Sequence, residues 1–198
     1  MRSTLVIVAV AAASPAAFAQ PSGPVTWADN GHTYQLTSAA TSWREAQAEA
    51  LSLGGSLVSV NSAEEQAFLN ATFLVNTLES RPVWIGLIRS TLPTSGPSDA
   101  PFVWADGSAL GYTNWQGGEP NNSTSNNQPL GEWVATMNWH RAQVGAVKGT
   151  WNDTPDTGTF GFGGASDGPY FGVIELVPAP GTAAIALLGG MFGLRRRR

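Results

Sequence analysis

The chain has 198 residues, which is enough for one domain of ordinary size plus processing segments. It contains no cysteine, so a disulfide framework, a thiol nucleophile and a cysteine zinc site are all excluded. The net charge is −4, but five of the ten basic residues lie at the chain ends and all 14 acidic residues lie between Asp29 and Glu175. This acidic middle argues against nucleic-acid binding, which requires a basic surface.

The N-terminal segment, residues 1–19, is typical of a secretory signal peptide. Arg2 precedes an apolar run over Leu5–Ala13, and Ala17-Phe18-Ala19 supplies a cleavage site of small residues. We therefore expect export, with cleavage after Ala19 and a mature domain over residues 20–176.

Two helices and six strands are predicted in this domain. Capping boxes at residues 42–45 and 62–65 precede helices over Ala46–Leu53 and Ala67–Leu74. The strands are predicted over His32–Leu36, Leu57–Val60, Val83–Leu87, Phe102–Trp104, Trp133–Met137 and Tyr170–Glu175. Between Ser90 and Gly168 the chain is rich in Gly, Pro, Asn, Ser and Thr, which indicates a long irregular region. Tryptophans recur through that region, and such anchors favour an ordered loop.

Two short motifs in the irregular region carry oxygen ligands. Glu119-Pro120-Asn121 and Trp151-Asn152-Asp153 each supply one carboxylate and one carboxamide. Ca²⁺ takes six to eight oxygen ligands of these types. The same groups can hydrogen-bond sugar hydroxyls, so the pattern favours a cation and carbohydrate site over a catalytic centre.

Other chemistries are weaker candidates. His32 and His140 are too far apart in sequence for the short ligand spacing typical of zinc sites. Glu119 and Asp153 could form a glycosidase pair, since that chemistry needs two carboxylates. If both hold Ca²⁺ they stay ionised and neither can act as a general acid, so we expect no enzyme activity.

The C-terminal segment, residues 177–198, has three parts in order. They are Pro178-Ala179-Pro180, an apolar stretch over Gly181–Leu194 and the arginines 195–198. The apolar stretch is shorter than the ~20 residues of an unaided span, and the arginines would hold the end in the cytoplasm. This layout resembles the PEP-CTERM sorting signal of Gram-negative bacteria, with Ala179 where that signal usually has Glu. The resemblance implies transient membrane insertion of the C-terminal helix, processing by an exosortase, and release to the cell surface or extracellular matrix. A short permanent membrane tail is the alternative.

The mature chain carries a series of motifs in a recognisable order. They are Ser42-Trp43-Arg44-Glu45-Ala46, Leu53-Gly54-Gly55-Ser56-Leu57-Val58-Ser59-Val60, Trp84-Ile85-Gly86-Leu87, Phe102-Val103-Trp104-Ala105-Asp106-Gly107, Tyr112-Thr113-Asn114-Trp115, Gly118-Glu119-Pro120-Asn121, Trp151-Asn152-Asp153 and Val173-Ile174-Glu175. Together they resemble a C-type lectin domain over His32 to Leu176.

The resemblance implies an α+β fold with two helices, a mixed antiparallel sheet, a long irregular loop region and chain ends that pair as neighbouring strands. Trp84 and Gly86 would lie in its central core strand and serve packing. The family normally has two disulfides, whose positions fall on Ala50 with Ile174 and on Trp133 with Asp156. The domain is disulfide-free here, and we expect packing to replace the bridges.

The resemblance also implies a ligand set. Glu119 and Asn121, joined through a cis Pro120, and Asn152 and Asp153, with Trp151 packed beneath, would bind both Ca²⁺ and a glycan. The Glu-Pro-Asn form is associated with mannose-type sugars. The family's fifth ligand, a Glu, falls on Gly131, with Glu132 one position later. Either the loop shifts so that Glu132 reaches the ion, or water completes the shell.

These features predict an exported, calcium-dependent carbohydrate-binding protein of the bacterial cell surface or matrix. Its partners would be a glycan and, for processing, an exosortase. The alternative is a lectin-like adhesion or matrix protein that binds protein partners without calcium.

Overall fold

The computed structural model describes residues 23–125, 128–142, 147–159 and 167–178. Within these ranges the helices are α1 (Trp43–Ser52) and α2 (Ala63–Thr72), and short 3₁₀ turns cover Asn76–Leu78 and Trp139–Ala142. The strands are β1 (Val25–Thr26), β2 (Thr33–Leu36), β3 (Ser56–Leu57), β4 (Val83–Arg89), β5 (Phe102–Trp104), β6 (Val134–Met137), β7 (Trp151–Thr154) and β8 (Phe171–Leu176).

The predicted serines cap both helices, which begin three and four residues earlier than predicted, at Trp43 and Ala63, and end at Ser52 and Thr72. Only the first capping box is complete. The Ser42 side chain accepts the Glu45 N–H, and the Glu45 carboxylate accepts the Ser42 N–H in return. Ser62 accepts the Glu65 N–H in the same way. The Glu65 carboxylate does not return to Ser62, because it turns into the core and accepts the Tyr34 hydroxyl at 2.6 Å. The prediction of a second full box was therefore wrong.

The strands form the expected mixed sheet. Its order is β1-β2-β8-β4-β6-β7, with β3 paired to β8 and β5 paired to β4. β4 and β8 are parallel, and the other pairs are antiparallel. β2 lies beside β8, so the two ends of the domain are neighbours, as predicted.

The strand β7 was not predicted. It lies inside the region that the composition indicated to be irregular, and it pairs with β6 from Val134↔Thr154 to Met137↔Trp151. Asn152 and Asp153 therefore project from a sheet strand, not from a loop. The short edge strand β1 was not predicted either. The remaining strands lie where they were predicted, with bounds shifted by one to three residues at one or both ends, except β5, whose bounds agree.

The residues that were predicted to serve packing, Trp84, Gly86 and Trp151, lie in the core. Trp84 is fully buried, and its indole N–H donates to the Thr41 carbonyl at 2.8 Å. A Cβ on Gly86 would lie 2.4 Å from the Leu57 carbonyl oxygen, so only glycine permits this approach of β3 to β4. Trp151 is also fully buried, and its indole donates to Gln66 Oε1 at 2.7 Å. This anchor fixes β7 under the loop that carries Glu119.

The positions of the two family disulfides are occupied by packed side chains. Ala50 on α1 and Ile174 on β8 are both fully buried. Trp133 and Asp156 line one pocket, and Arg44 contacts both, at 4.5 Å from the Trp133 ring centre and 3.2 Å from Asp156 Oδ2. Apolar burial at the first pair and a cation bridge at the second take the place of covalent links.

The processing segments fall largely beyond the described residues. The signal peptide with Ala19, and the tail from Ala179 onward with Pro180, lie outside them, whereas Pro178 lies inside. Among the described residues no helix has the length and apolar character needed to cross a membrane.

Candidate functional site

Asp153 holds the predicted loop against the sheet. Its side chain is completely buried, and its two carboxylate oxygens accept the backbone N–H groups of Asn121 at 3.0 Å and Asn122 at 2.9 Å. These bonds bring the Glu119-Pro120-Asn121 segment onto β7. The two motifs that are 32 residues apart in sequence therefore meet in space.

The Glu119–Pro120 peptide bond is cis, as the resemblance implies. The Glu119 carboxylate accepts the Asn121 N–H at 3.1 Å through Oε2. The exposed Asn121 side chain accepts the Ser123 N–H at 2.8 Å. The Asn121 N–H thus donates to a carboxylate from each motif, Glu119 and Asp153.

Glu132 reaches this cluster despite its shifted register. Gly131 has φ = +71°, a conformation that suits glycine, and the turn it makes directs the next side chain inward. The Glu132 carboxylate is buried and accepts the Ser123 N–H at 2.8 Å, while the Glu132 N–H donates to Asn122 Oδ1 at 3.1 Å. Glu132 thus contacts the same loop as Asn121, and its role as the fifth ligand stays a prediction.

Burial raises the pKa of two carboxylates in this cluster. Burial, with the negative charges of Asp153 and Glu119, raises the pKa of Glu132 to about 8, although the Ser123 N–H and Arg89 oppose the shift. Burial also raises the pKa of Asp153, against the opposing effect of the Asn122 and Asn121 N–H groups. Because burial disfavours the ionised form, a nearby cation would stabilise both carboxylates.

Arg89 supplies the one guanidinium that contacts Asp153 in the described part of the chain. Its side chain is 8 % exposed, and one terminal nitrogen lies 3.3 Å from Asp153 Oδ2. The guanidinium lies 4.2 Å from the centre of the Phe102 ring and donates to the Ala100 carbonyl at 3.1 Å. Sequence reasoning missed Arg89 because the predicted strand ended at Leu87. Arg89 lies two residues after Leu87, so an extended strand would place both side chains on the same face of β4, and this spacing is the signal that could have found it.

His140 is the second residue that sequence reasoning set aside. Its Nε2 lies 2.8 Å from Asn152 Oδ1 and 3.2 Å from Glu119 Oε1, so one imidazole nitrogen joins an oxygen from each motif. The histidine is buried, in the short turn that follows β6. No local sequence signal pointed to this contact, because it spans 12 residues to Asn152 and 21 to Glu119.

The donor set fits calcium in its chemistry. Glu119, Asn121, Glu132, Asn152 and Asp153 together offer carboxylate and carboxamide oxygens, which are the ligand types that Ca²⁺ prefers. Three of the five are carboxylates, and burial makes the ionised form of two of them costly. Among the described residues, however, no three acidic or histidine side chains are grouped as a metal cage.

Comparison with known proteins identifies the fold family. A family model of the lectin C-type domain matches residues 39–161. The chain belongs to the C-type lectin domain family. It is 31% identical over 153 residues to human C-type mannose receptor 2, a match that covers 71% of this chain and 9% of the receptor. It is 35% identical over 101 residues to ladderlectin of Oncorhynchus mykiss, covering 50% of each protein.

Solved C-type lectin structures have the same fold. The cow CD23 carbohydrate-recognition domain, crystallised in the presence of a GlcNAc2Man3 oligosaccharide, superposes with a TM-score of 0.51 at 29% identity, covering 75% of this chain and 89% of that one. The mouse scavenger receptor C-type lectin carbohydrate-recognition domain gives 0.56 at 23% identity, covering 79% and 96%. The α+β C-type lectin fold predicted from the motifs is confirmed. The chain spans about a tenth of the length of the mannose receptors that it matches.

Proposed function

We propose that this protein is an exported lectin that binds mannose-type glycans with the help of Ca²⁺. The observation that supports this most directly is the single cluster formed by Glu119, Asn121, Glu132, Asn152 and Asp153. Names of similar proteins agree with it: the relatives include mannose receptors, and the CD23 structure was determined with a mannose-containing oligosaccharide.

The proposed binding has three parts, which are Ca²⁺ coordination, hydrogen bonds to the sugar and positioning of the loop. Ca²⁺, when bound by them, would offer open coordination positions to two neighbouring sugar hydroxyls. Glu119, Asn121 and Asn152 can accept or donate hydrogen bonds to the same hydroxyls. Asp153 fixes the loop backbone through the Asn121 and Asn122 N–H groups. The proposal is binding and not catalysis.

Location follows from the two processing signals and is part of the proposal. The segment 1–19 would direct export, and the segment 177–198 would be processed by an exosortase after transient membrane insertion. The domain would then reach the cell surface or matrix of a Gram-negative bacterium and bind glycans there. Clustering on such a surface would compensate for weak binding by a single domain.

A second candidate is a lectin-like adhesion protein that works without calcium. Two contacts favour it: Arg89 already neutralises Asp153 at 3.3 Å, and His140 already joins Glu119 to Asn152. In that case the loop would be held by protein groups alone, and the same surface would bind a protein partner.

A thermal-shift experiment separates the two candidates. A ligand that binds only the folded state raises its stability by mass action. With a Kd of about 10⁻⁴–10⁻³ M and ~10 mM Ca²⁺, the gain is about 1.4–2.7 kcal/mol, or roughly 3–11 °C in Tm. Glu119→Gln should abolish the shift, and the exposed Glu79→Gln should retain it. An unchanged Tm in the parent protein would favour the calcium-free candidate. Retention on a mannan column that persists in EDTA would refute the calcium dependence of glycan binding.

A further inference from the structure

A pocket of about 200 Å³ lies beside the candidate site and is not used by it. Its walls come from the turn before β6 and from the segment that follows β7. The residues that define it include Gln128, Leu130, Trp133, Pro155, Asp156 and Thr157. Ligand sites of this kind combine apolar walls with a few placed polar groups.

The backbone that lines the pocket is continuous with the backbone of the candidate site. Gly131, which lines it, directly precedes Glu132, and Asp156 follows Asp153 by three residues. Since an extended chain rises about 3.3 Å per residue, the Asp156 backbone lies within about 10 Å of the Asp153 backbone. A chain of linked sugars that starts at the candidate site could therefore continue into the pocket.

Gln128 contributes a hydrogen-bond acceptor with no partner among the described residues. The side chain is only 8 % exposed, and its Oε1 is shielded from solvent without receiving a hydrogen bond. Buried polar atoms are nearly always paired, so an orphaned acceptor at a pocket wall indicates a place for a donor. A ligand hydroxyl is a donor of the right kind.

The opposite side of the pocket carries a carboxylate. Arg44 lies over the Trp133 ring at 4.5 Å and its Nε donates to Asp156 Oδ2 at 3.2 Å. This guanidinium contacts both walls of the pocket. Leu130, which is 37% exposed, offers apolar surface on which the C–H face of a sugar ring can pack, and Asp156 offers acceptors for its hydroxyls.

We propose that this pocket is a second sugar subsite, so that the preferred ligand is an oligosaccharide of at least two residues. The first sugar would occupy the cluster around Glu119 and Asn152, and the next would enter the pocket between Trp133, Gln128 and Asp156. The inference rests on the proposed function, because it extends the ligand of the same site.

Calorimetric titration of the mature protein in Ca²⁺ with methyl α-mannoside and with a linear α-linked mannotriose tests the proposal. We expect the trisaccharide to bind at least about tenfold more tightly. Gln128→Met keeps the side-chain length and removes the acceptor. It should weaken mannotriose binding about 2- to 12-fold, the value of one hydrogen bond, and leave methyl α-mannoside binding unchanged. Gln35→Met, on β2 and outside the pocket, should change neither affinity.

The outcomes separate the subsite from the lectin proposal. If neither sugar binds the parent protein, the proposed function fails and the subsite fails with it. If both sugars bind with equal affinity, the lectin proposal stands and the subsite is refuted, a result that does not depend on any variant. Equal weakening of both sugars by Gln128→Met would also refute it, since that change would then act on the loop and not on the second sugar.

Discussion

At the scale of single residues, the Arg89–Asp153 pair organises the candidate site. Asp153 is completely buried and Arg89 nearly so, and their side chains lie 3.3 Å apart. Breaking a buried ion pair by removing one partner is costly, because the remaining charge is left without compensation in a poorly solvated place. Arg89 therefore stabilises the loop and at the same time competes with any cation for Asp153.

Substitution of Arg89 by Met should separate these two effects. Without calcium, Arg89→Met should lose about 3–5 kcal/mol of unfolding free energy, because Asp153 stays buried and unpaired. On addition of Ca²⁺ the variant should gain more unfolding free energy than the parent protein, since a cation then replaces the guanidinium. Urea denaturation in EDTA and in Ca²⁺ measures both quantities.

The matched control is Arg44→Met. Arg44 also pairs with an aspartate, at 3.2 Å, but its side chain is 58% exposed. An exposed pair contributes about 1 kcal/mol or less, so this change should have a small effect with or without Ca²⁺. If the two variants lose the same unfolding free energy, the burial of the Arg89–Asp153 pair adds nothing to its contribution to stability.

Sequence reasoning grouped four of the five side chains because their motifs occur in a known order. It left Glu132 open, because the direction of its side chain depends on the backbone conformation at Gly131. It missed Arg89 because the predicted strand ended at Leu87, and it missed His140 because that contact joins distant parts of the chain. Arg89 is 64 residues from Asp153 in sequence.

At the scale of elements, the turn at Gly131 decides where Glu132 points. A Cβ at this position would lie 2.4 Å from Asn122 Oδ1 and 2.8 Å from the Pro97 Cβ, and the φ of +71° is itself unfavourable for other residues. The Asn122 side chain accepts the Glu132 N–H, so a shift of Asn122 would move both sides of the cluster.

Gly131→Ala should therefore disturb both stability and the site. The left-handed conformation costs about 1–2 kcal/mol, and the crowding adds a further cost of about 1–3 kcal/mol. Gly107→Ala is the matched control: its φ is +82°, but nothing lies within 4 Å of the added Cβ. It should show the conformational cost alone and retain any Ca²⁺ response. If thermal melting shows equal losses in the two variants, the crowding at Gly131 has no energetic effect.

Helices and strands were predictable from the sequence where local interactions determine them. Ser42 begins α1 because its side chain caps the first turn, and a capping signal is a local feature. The strand β7 was not predictable in the same way, because Trp151-Asn152-Asp153-Thr154 has no apolar alternation. It becomes a strand by pairing with β6 and by burial of Trp151, which are consequences of the tertiary fold.

At the scale of the whole molecule, a buried polar cluster joins the two ends of the domain. The Tyr34 hydroxyl on β2 lies 2.6 Å from Glu65 on α2 and 3.2 Å from Glu175 on β8. His32 Nδ1 lies 2.6 Å from the same Glu175 oxygen, and the Asn61 N–H donates to Glu65 at 2.7 Å. In a chain without disulfides these bonds hold the first long strand, the second helix and the last strand together.

This cluster should make stability depend on pH through Glu65. Burial raises the pKa of Glu65 above its ordinary value of 4.5, although the hydrogen bonds from Tyr34 and Asn61 oppose the shift. Above pH 4.5 the unfolded chain releases this proton while the folded protein keeps it. The contribution of Glu65 is therefore fully present below pH 4.5 and is lost as the pH rises through the folded pKa.

Glu65→Gln removes the titration and keeps the shape of the side chain. The variant loses hydrogen bonds at every pH, but its unfolding free energy relative to the parent protein should increase from pH 4.5 upward, by at most about 1.4 kcal/mol per pH unit. Glu64 is exposed on the same helix. The control variant Glu64→Gln should therefore differ from the parent protein by an unfolding free energy that does not change with pH. Denaturation curves from pH 4 to pH 8 measure both differences. If the difference in unfolding free energy between Glu65→Gln and the parent protein does not change with pH, the folded protein and the unfolded chain release this proton at the same pH. The burial of Glu65 beside Tyr34 and Glu175 would then leave its pKa unchanged.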